Sequence, residues 1–99
     1  MRFMAHWKMR PAPAEEVERL LEEDLKFCKD LMKKGKLLHS FVLAGKPEGF
    51  EIFEVESNEE MHELAMNAPF GPFLDFDIWP LVDFNFSLNT LKSVLKKRL

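Results

Sequence analysis

Four stretches of the chain alternate between hydrophobic and polar residues, with the period of two that is typical of β-strands. The first, residues 2–10, has one entirely apolar face, formed by Phe3, Ala5, Trp7 and Met9. Residues 37–44 and 50–55 follow the same pattern on either side of the sequence GKPEG, whose glycines and proline predict a hairpin turn. The last predicted strand, residues 73–84, contains Pro80, so we expect it to lie at a sheet edge or to carry a bulge.

Three other stretches repeat hydrophobic residues every three or four positions, which predicts amphipathic helices. The first runs from about residue 13 to residue 34 and ends at Gly35. The second begins at Ser57, which forms a capping box with Glu60, and it ends before Pro69. The third covers residues 87–99, with Ser87 as its predicted N-cap and an apolar stripe of Leu88, Leu91, Val94, Leu95 and Leu99.

The predicted order is strand, helix, strand, strand, helix, strand, followed by the additional helix. This order predicts an α+β protein of the ferredoxin-like βαββαβ class, with both helices on one face of the sheet. We interpret residues 1–86 as this domain and residues 87–99 as a C-terminal helical extension. The extension is expected to cover the open face of the sheet or to clasp a neighbouring subunit.

The high apolar content of the chain adds an expectation about its assembly. Of the 99 residues 46% are hydrophobic and ten are Phe, which is more apolar surface than a small monomer easily buries. We therefore expect the second face of the sheet to be covered by another copy of the chain, in a homodimer or a larger homo-oligomer.

The net charge of −3 gives no electrostatic footprint for nucleic acid, so no nucleic-acid partner is expected. The basic residues within 92–98 indicate either the solvated C-terminal end of a helix or a surface patch that binds an anionic partner. No apolar run approaches the roughly 20 residues of a membrane span, so no membrane partner is expected either. The single cysteine, Cys28, excludes an internal disulfide, and we expect a cytoplasmic protein.

Asp24 lies inside the apolar stripe of the first predicted helix. It is either an acid at the edge of the stripe with a cation or water beside it, or a carboxylate with a raised pKa that accepts a proton in a pocket. His39 shares a predicted strand face with Leu37, Phe41 and Leu43, and it is either a structural rim histidine or a general acid/base paired with Asp24. His62 follows the capping box on an exposed turn and is more readily structural.

No group of His and Cys residues has the spacing of a zinc site, and no phosphate-binding loop or Ser–His–acid signature is present. We therefore expect neither a metal nor a cofactor.

Several segments, taken in order, resemble the muconolactone delta-isomerase family. They are residues 35–39, Ala44-Gly45, residues 50–57, residues 61–64 and residues 72–78. The resemblance covers about residues 1–80 and implies ferredoxin-like subunits whose sheets pack face to face as a dimeric α+β barrel, with decamers as a further assembly. It also implies an isomerase that moves a proton within an unsaturated lactone without a metal or cofactor.

The resemblance extends to individual positions. Asp24 matches an acidic position of the family, and His39 and His62 match two of its histidines. The resemblance thus implies Asp24 and His39 as the catalytic pair. We predict His62, Asp75 and Phe41 as substrate-binding residues, of which His62 and Asp75 match positions of the family.

Two departures count against muconolactone itself as the substrate. Leu25 stands where the family has Lys, and Val42 where it has Arg, although a carboxylate ligand favours a cation. The sequence thus predicts a cofactor-independent, muconolactone isomerase-like protein that moves a proton in a small lactone or carbonyl compound. The alternative is a non-catalytic small-molecule-binding or assembly module of the same fold, so the sequence leaves open whether the protein is an enzyme.

Overall fold

The computed structural model describes all 99 residues. They form four strands, three helices and one short 3-10 turn in the predicted order. The strands are β1 (Arg2–Met9), β2 (Leu37–Val42), β3 (Glu48–Glu54) and β4 (Leu74–Leu81). The helices are α1 (Ala14–Lys33), α2 (Asn58–Asn67) and α3 (Phe84–Arg98), and the 3-10 turn is Gly71–Phe73.

The strands form one antiparallel sheet in the order β2-β3-β1-β4. With α1 and α2 as the two crossovers, this is the ferredoxin-like α+β arrangement that the order of elements predicts. Strand β4 lies at an edge of the sheet, as Pro80 predicts. A proline lacks the N–H that a central strand would donate, and an edge position leaves one side of the strand unpaired.

Helices α1 and α2 lie on the same face of the sheet, which we call the covered face. Phe3 and Ala5 of β1 are buried there beside Phe53 of β3. Leu31 of α1 and Met61 of α2 belong to the same core cluster. The apolar face predicted for the first strand is therefore the one that packs against the helices.

Two turns depend on glycine and one helix depends on its cap. Gly35, after α1, and Gly45, in the hairpin, have φ values of 72° and 76°, in the left-handed region that glycine adopts most easily. The Ser57 side chain accepts a hydrogen bond of 3.1 Å from the Glu60 amide, as predicted. The Glu60 carboxylate accepts from the amide of Glu56 rather than from that of Ser57.

Strand β2 departs from the predicted alternation. Leu37 pairs with Phe53 and His39 pairs with Ile52, so Leu38 forms a β-bulge. An extra residue shifts every later side chain to the other face of the sheet. The prediction that His39 and Phe41 share a face with Leu37 is therefore wrong: they lie on the opposite side, which we call the open face.

The end of β4 and the start of α3 also differ from prediction. The pairing of β1 with β4 stops where Leu81 meets Arg2. The helix then begins at Phe84 with Asp83 as its N-cap residue, and Ser87 lies within the first turn. The amide of Ser87 donates to the carbonyl of Asp83.

Helix α3 projects from the rest of the molecule. None of its residues is buried, and it does not cover the open face of the sheet. The molecule measures 62 × 28 × 21 Å with a radius of gyration of 16.9 Å, whereas a compact domain of this length has about 13 Å. None of the helices is long and apolar enough to cross a membrane.

Candidate active site

A cavity of about 430 Å³ lies between the covered face of the sheet and helices α1 and α2. Of the 22 residues that line it, 18 are hydrophobic. Its size and its apolar walls are those of a site for a small organic molecule.

One wall of the cavity depends on a close approach of backbone and ring. Gly49 of β3 pairs with Trp7, and an added Cβ would clash with the Phe41 carbonyl oxygen and come within 2.9 Å of the indole. Only glycine leaves this space free, so the sequence at residue 49 positions the Trp7 ring that lines the cavity.

The four polar residues of the lining come from three elements, and they are Asp24 and Lys29 of α1, Ser40 of β2 and Glu51 of β3. Glu51 pairs in register with Ala5 and with Ser40, which places all three on the covered face. The hydroxyl of Ser40 donates a hydrogen bond of 3.4 Å to the Glu51 carboxylate. The cavity thus combines two carboxyl groups with an otherwise apolar interior.

Burial raises the pKa of Asp24. Two groups partly oppose this by favouring the charged form, namely the backbone amide of Phe70 and the thiol of Cys28. The Cys28 sulfur lies 3.9 Å from the Asp24 carboxylate oxygen, as a donor one helical turn further along α1. Asp24 is therefore a carboxylate whose basicity is increased by its surroundings.

Burial raises the pKa of Glu51 to about 7, and the nearby negative charge of Asp24 adds to the effect. The hydrogen bond from Ser40 acts in the opposite direction. Near neutral pH, Glu51 is consequently divided between its protonated and ionised forms. One cavity can then hold a proton acceptor and a carboxylic acid that donates a hydrogen bond.

Cys28 is not a nucleophile in this arrangement. Burial raises the pKa of its thiol to about 12, and the charges of Asp24 and Glu51 act in the same direction. A cysteine of such high pKa remains a neutral thiol at physiological pH, and the thiolate is the reactive form. Its role here is to pack in the cavity wall and to donate to Asp24.

The two positions that depart from the family both lie in the cavity lining, since Leu25 and Val42 are among its residues. Each is partly exposed to solvent, so they stand near the opening. Lys29, one turn after Leu25, is the one basic residue of the lining, and it is exposed and forms no ion pair. Lys29 is therefore the one cation along the cavity that holds the two carboxyl groups, and it is exposed to solvent.

The other predicted site residues lie outside the cavity. His39, Phe41 and Asp75 are exposed on the open face, where the His39 and Phe41 rings stack at 6.2 Å and Asp75 binds Arg10. His62 is exposed on α2 beside Glu59 and Glu63. No three His, Cys, Asp or Glu side chains are grouped so that they could hold a metal ion.

The prediction that Asp24 and His39 form a pair is wrong for this chain, because the sheet lies between them. The bulge at Leu38 is the reason, since it turns His39 to the open face. Roles in substrate handling remain predictions for His39, His62, Asp75 and Phe41. Such roles would need a binding site outside the cavity. The sequence analysis did not identify Glu51 as a site residue. Its one indication is that Glu51, Phe53 and Val55 are alternate residues of one strand and therefore lie on the same face as each other.

The structure thus combines a ferredoxin-like α+β fold with a half-open, largely apolar cavity that contains two carboxyl groups. The chain belongs to the muconolactone delta-isomerase family, which it matches over residues 1–86. It is 26% identical over 69 residues to the muconolactone delta-isomerase of Acinetobacter baylyi, covering 70% of this chain and 72% of the relative. The enzyme of the same name from Rhodococcus opacus is 28% identical over 64 residues, covering 65% and 69%.

Solved structures show the same fold. The crystal structure of muconolactone isomerase superposes with a TM-score of 0.77 at 21% identity, covering 84% of this chain and 90% of the other. A 5-chloro-2-hydroxyhydroquinone dehydrochlorinase from Burkholderia phenoliruptrix, in complex with 2,5-dihydroxybenzoquinone, has a TM-score of 0.69 at 21% identity, covering 87% and 98%. The protein is thus a muconolactone isomerase-like protein with the ferredoxin-like fold of these neighbours.

Proposed function

We propose that the protein is a cofactor-independent isomerase that moves a proton within a small, largely apolar lactone or carbonyl compound bound in the cavity. The observation that carries this proposal is the pair of carboxyl groups, Asp24 and Glu51, in a largely apolar cavity. Family membership supports it, because the curated relatives are isomerases by name.

Asp24 is the proton acceptor. Its carboxylate takes a proton from a carbon beside the substrate carbonyl, and the C–H electron pair moves into an enolate. Protonated Glu51 donates a hydrogen bond to the enolate oxygen, where negative charge develops. Asp24 then returns the proton to the far end of the conjugated system, so the substrate is rearranged without a net gain or loss of protons or electrons.

The substrate that fits this cavity is uncharged where it meets the interior. A ligand carboxylate placed there would face two acidic side chains and, at Leu25 and Val42, aliphatic walls. Like charges in an apolar site repel strongly because the local dielectric is low. We therefore infer a neutral lactone or enone that lacks the carboxylate of muconolactone, or that keeps it outside the cavity near Lys29.

The assembly that we propose is a homodimer or a larger homo-oligomer. The open face supports this, because Phe41, Trp79 and Leu81 are exposed there and α3 does not cover them. A second copy that packs its open face on the first would bury these side chains. We also propose a cytoplasmic location, because Cys28 is a free thiol and reducing compartments keep thiols in that form.

Proton transfer can be tested without knowing the substrate in full. A panel of neutral unsaturated lactones and enones is incubated with the protein in D2O, and deuterium incorporation and double-bond migration are followed by NMR. We expect Asp24→Asn to reduce the rate by at least about 100-fold, the usual contribution of a general base. Asp30→Asn is the matched control, since Asp30 lies on the same helix, is exposed, and pairs with Lys34. Equal rates for the two variants would contradict the proposal.

A second function is favoured by the loss of both cations at Leu25 and Val42. A protein that kept the cavity but lost the chemistry would bind the same neutral compounds without exchanging their protons. Calorimetric binding of panel members, with no deuterium incorporation in the wild-type protein, would support a binding module instead of an isomerase.

A further inference from the structure

Trp7 is a partly buried residue of the cavity wall whose indole N–H has no partner in the chain. None of the side-chain hydrogen bonds involves it. Its cross-strand neighbours are Gly49 of β3 and Phe76 of β4, and neither side chain has an atom that accepts a hydrogen bond. No side-chain nitrogen is both buried and unpaired, so the indole nitrogen is accessible. A buried tryptophan N–H usually has an acceptor, and this one is free for a ligand.

The indole leans from β1 towards β3. A Cβ built on Gly49 would lie 2.9 Å from the indole carbon Cζ2 and 3.0 Å from Cε2, and Cε2 is bonded to the indole nitrogen. Glu51 lies two residues further along β3 on the same face, opposite Ala5. Diagonal neighbours of an antiparallel pair are about 7–8 Å apart, a distance that aromatic and long side chains bridge. The indole nitrogen of Trp7 is therefore on the side of the ring that faces the strand of Glu51.

The other neutral donors of the cavity lining are occupied. Besides Trp7, the neutral side chains with a donor are Cys28 and Ser40. The Cys28 thiol donates to the Asp24 carboxylate at 3.9 Å. The Ser40 hydroxyl donates to the Glu51 carboxylate at 3.4 Å. Apart from the acid form of Glu51, the indole N–H is thus the one neutral side-chain donor of the lining that is free to bind a ligand oxygen.

The proposed reaction requires such a donor. Negative charge develops on the substrate oxygen, and fixed donors in an apolar site stabilise that charge. Glu51 donates only in its protonated form, and near neutral pH it is divided between two forms. An indole N–H only donates. It therefore stays in place as a donor whichever form Glu51 takes.

We propose that the indole N–H of Trp7 donates a hydrogen bond to the carbonyl oxygen of the ligand in the cavity, beside Glu51. In the isomerase reaction this makes Trp7 a further catalytic residue, and that role rests on the proposed function. Gly49 belongs to the arrangement, because a side chain at this position would displace the indole. The cavity then selects compounds that carry a carbonyl oxygen at this end over hydrocarbons of the same size.

The hydrogen bond can be observed directly, because the chain has two tryptophans, of which Trp79 lies on the open face. Both indole groups are labelled with the heavy nitrogen isotope, and Trp7→Phe and Trp79→Phe assign their NMR resonances. We expect γ-crotonolactone, a neutral unsaturated lactone, to move the Trp7 N–H resonance downfield and to leave that of Trp79 in place. Cyclopentene, a ring of the same size without oxygen, should cause no downfield shift. A Trp7 resonance that stays in place, or that moves equally with cyclopentene, would overturn the proposal.

Kinetics separate a donor from a residue that only packs. Trp7→Phe keeps an aromatic ring in the cavity wall and removes the N–H. On a lactone that the D2O assay finds to be isomerised, kcat should fall by about 100-fold, the usual loss for one donor to a developing oxyanion. KM should hardly change, because the lost interaction strengthens in the transition state. Trp79→Phe is the matched control and should change neither value. A rise in KM at unchanged kcat would show a packing role and contradict the proposal.

The two measurements also distinguish this proposal from the proposed function. Isomerisation by a protein whose Trp7 resonance does not respond to γ-crotonolactone would overturn the hydrogen bond and leave the isomerase function intact. A downfield shift of Trp7 without isomerisation of any lactone would support the hydrogen bond and contradict the isomerase function instead.

Discussion

The covered face and the open face of the sheet consist of alternate residues of the same four strands, yet their charged groups are arranged differently. On the open face, several polar side chains have partners: His6 contacts Glu48 at 3.4 Å, and Arg10 pairs with Asp75. Next to the covered face, Asp24 of α1 and Glu51 of β3 line a largely apolar cavity and have no ion-pair partner. Their hydrogen-bond donors are the backbone amide of Phe70, the thiol of Cys28 and the hydroxyl of Ser40. Exposed ion pairs contribute little, whereas an unbalanced charge in an apolar site is costly and is typical of chemistry.

The comparison explains why the candidate site is not where the histidines are. Histidine titrates near neutral pH in water, so it attracts attention in a sequence. Here burial raises the pKa of Glu51 to about 7, so that this carboxyl group changes its charge near neutral pH, as histidine does in water. Four variants, each with a counterpart on the other face, test this difference.

The largest effect is expected from removing the proton acceptor. Asp24→Ala should lower isomerisation by about 100-fold to 10,000-fold, because it removes the general base. His39→Ala, on the open face, should change the rate by less than about threefold, since surface changes away from the site cost little. Steady-state kinetics on the same lactone panel measures both. A large loss in His39→Ala alone would move the site to the open face.

The next effect concerns stability. Phe53 is 6% exposed in the core of the covered face, and Phe53→Ala should lower the free energy of unfolding by about 3–5 kcal/mol. Phe41 is 64% exposed on the open face, so Phe41→Ala should lower the free energy of unfolding of an isolated subunit by less than about 0.5 kcal/mol. Urea titrations at several protein concentrations measure both changes. A cost at Phe41 that grows with concentration would show that a second copy covers this face.

Glu51 should make stability depend on pH. Its pKa is about 7 in the folded chain and 4.5 as an ordinary glutamate, so between these values the folded state binds a proton that the unfolded state lacks. Stability should then fall as the pH rises from about 4.5 to 7 and stay level above that. Glu51→Gln should remove this fall and stabilise the protein at pH 8 by up to about 3 kcal/mol.

The matched control for this measurement is Glu54→Gln. Glu54 lies on the same strand but is exposed beside Arg2, so its loss should leave the pH dependence unchanged. The remaining slope in Glu51→Gln should come from Asp24, whose pKa burial also raises. A pH profile identical to wild type in Glu51→Gln would show that this carboxyl group is not buried as the cavity requires.

The smallest effect is a gain. Val42→Arg places a guanidinium at the opening of the cavity and should strengthen binding of carboxylate-bearing muconolactone by about 1.5–3 kcal/mol, the usual range for charge-assisted hydrogen bonds. Phe41→Arg adds the same charge one residue away on the open face and should not alter that affinity. Isothermal calorimetry measures both. Equal gains would indicate non-specific attraction of the anion rather than recognition in the cavity.

Much of the architecture followed from the sequence alone, because it depends on local patterns. Alternation in residues 2–10 predicted both the strand and its covered face, Ser57 predicted the start of α2, and Pro80 predicted an edge strand. The segments that resemble the isomerase family predicted membership, which the match over residues 1–86 confirms. Asp24 stood out because an acid within an apolar stripe is unfavourable without a partner or a function.

Other features required the tertiary structure, since they depend on which residues face each other across the sheet. A bulge of one residue at Leu38 moved His39 to the open face, and no local pattern marks it. Glu51 looked like any exposed strand acid until its register with Ala5 placed it inside the cavity. Strand pairing and burial depend on residues that are far apart in the sequence. They determine which of the many charged side chains is desolvated and acquires a shifted pKa.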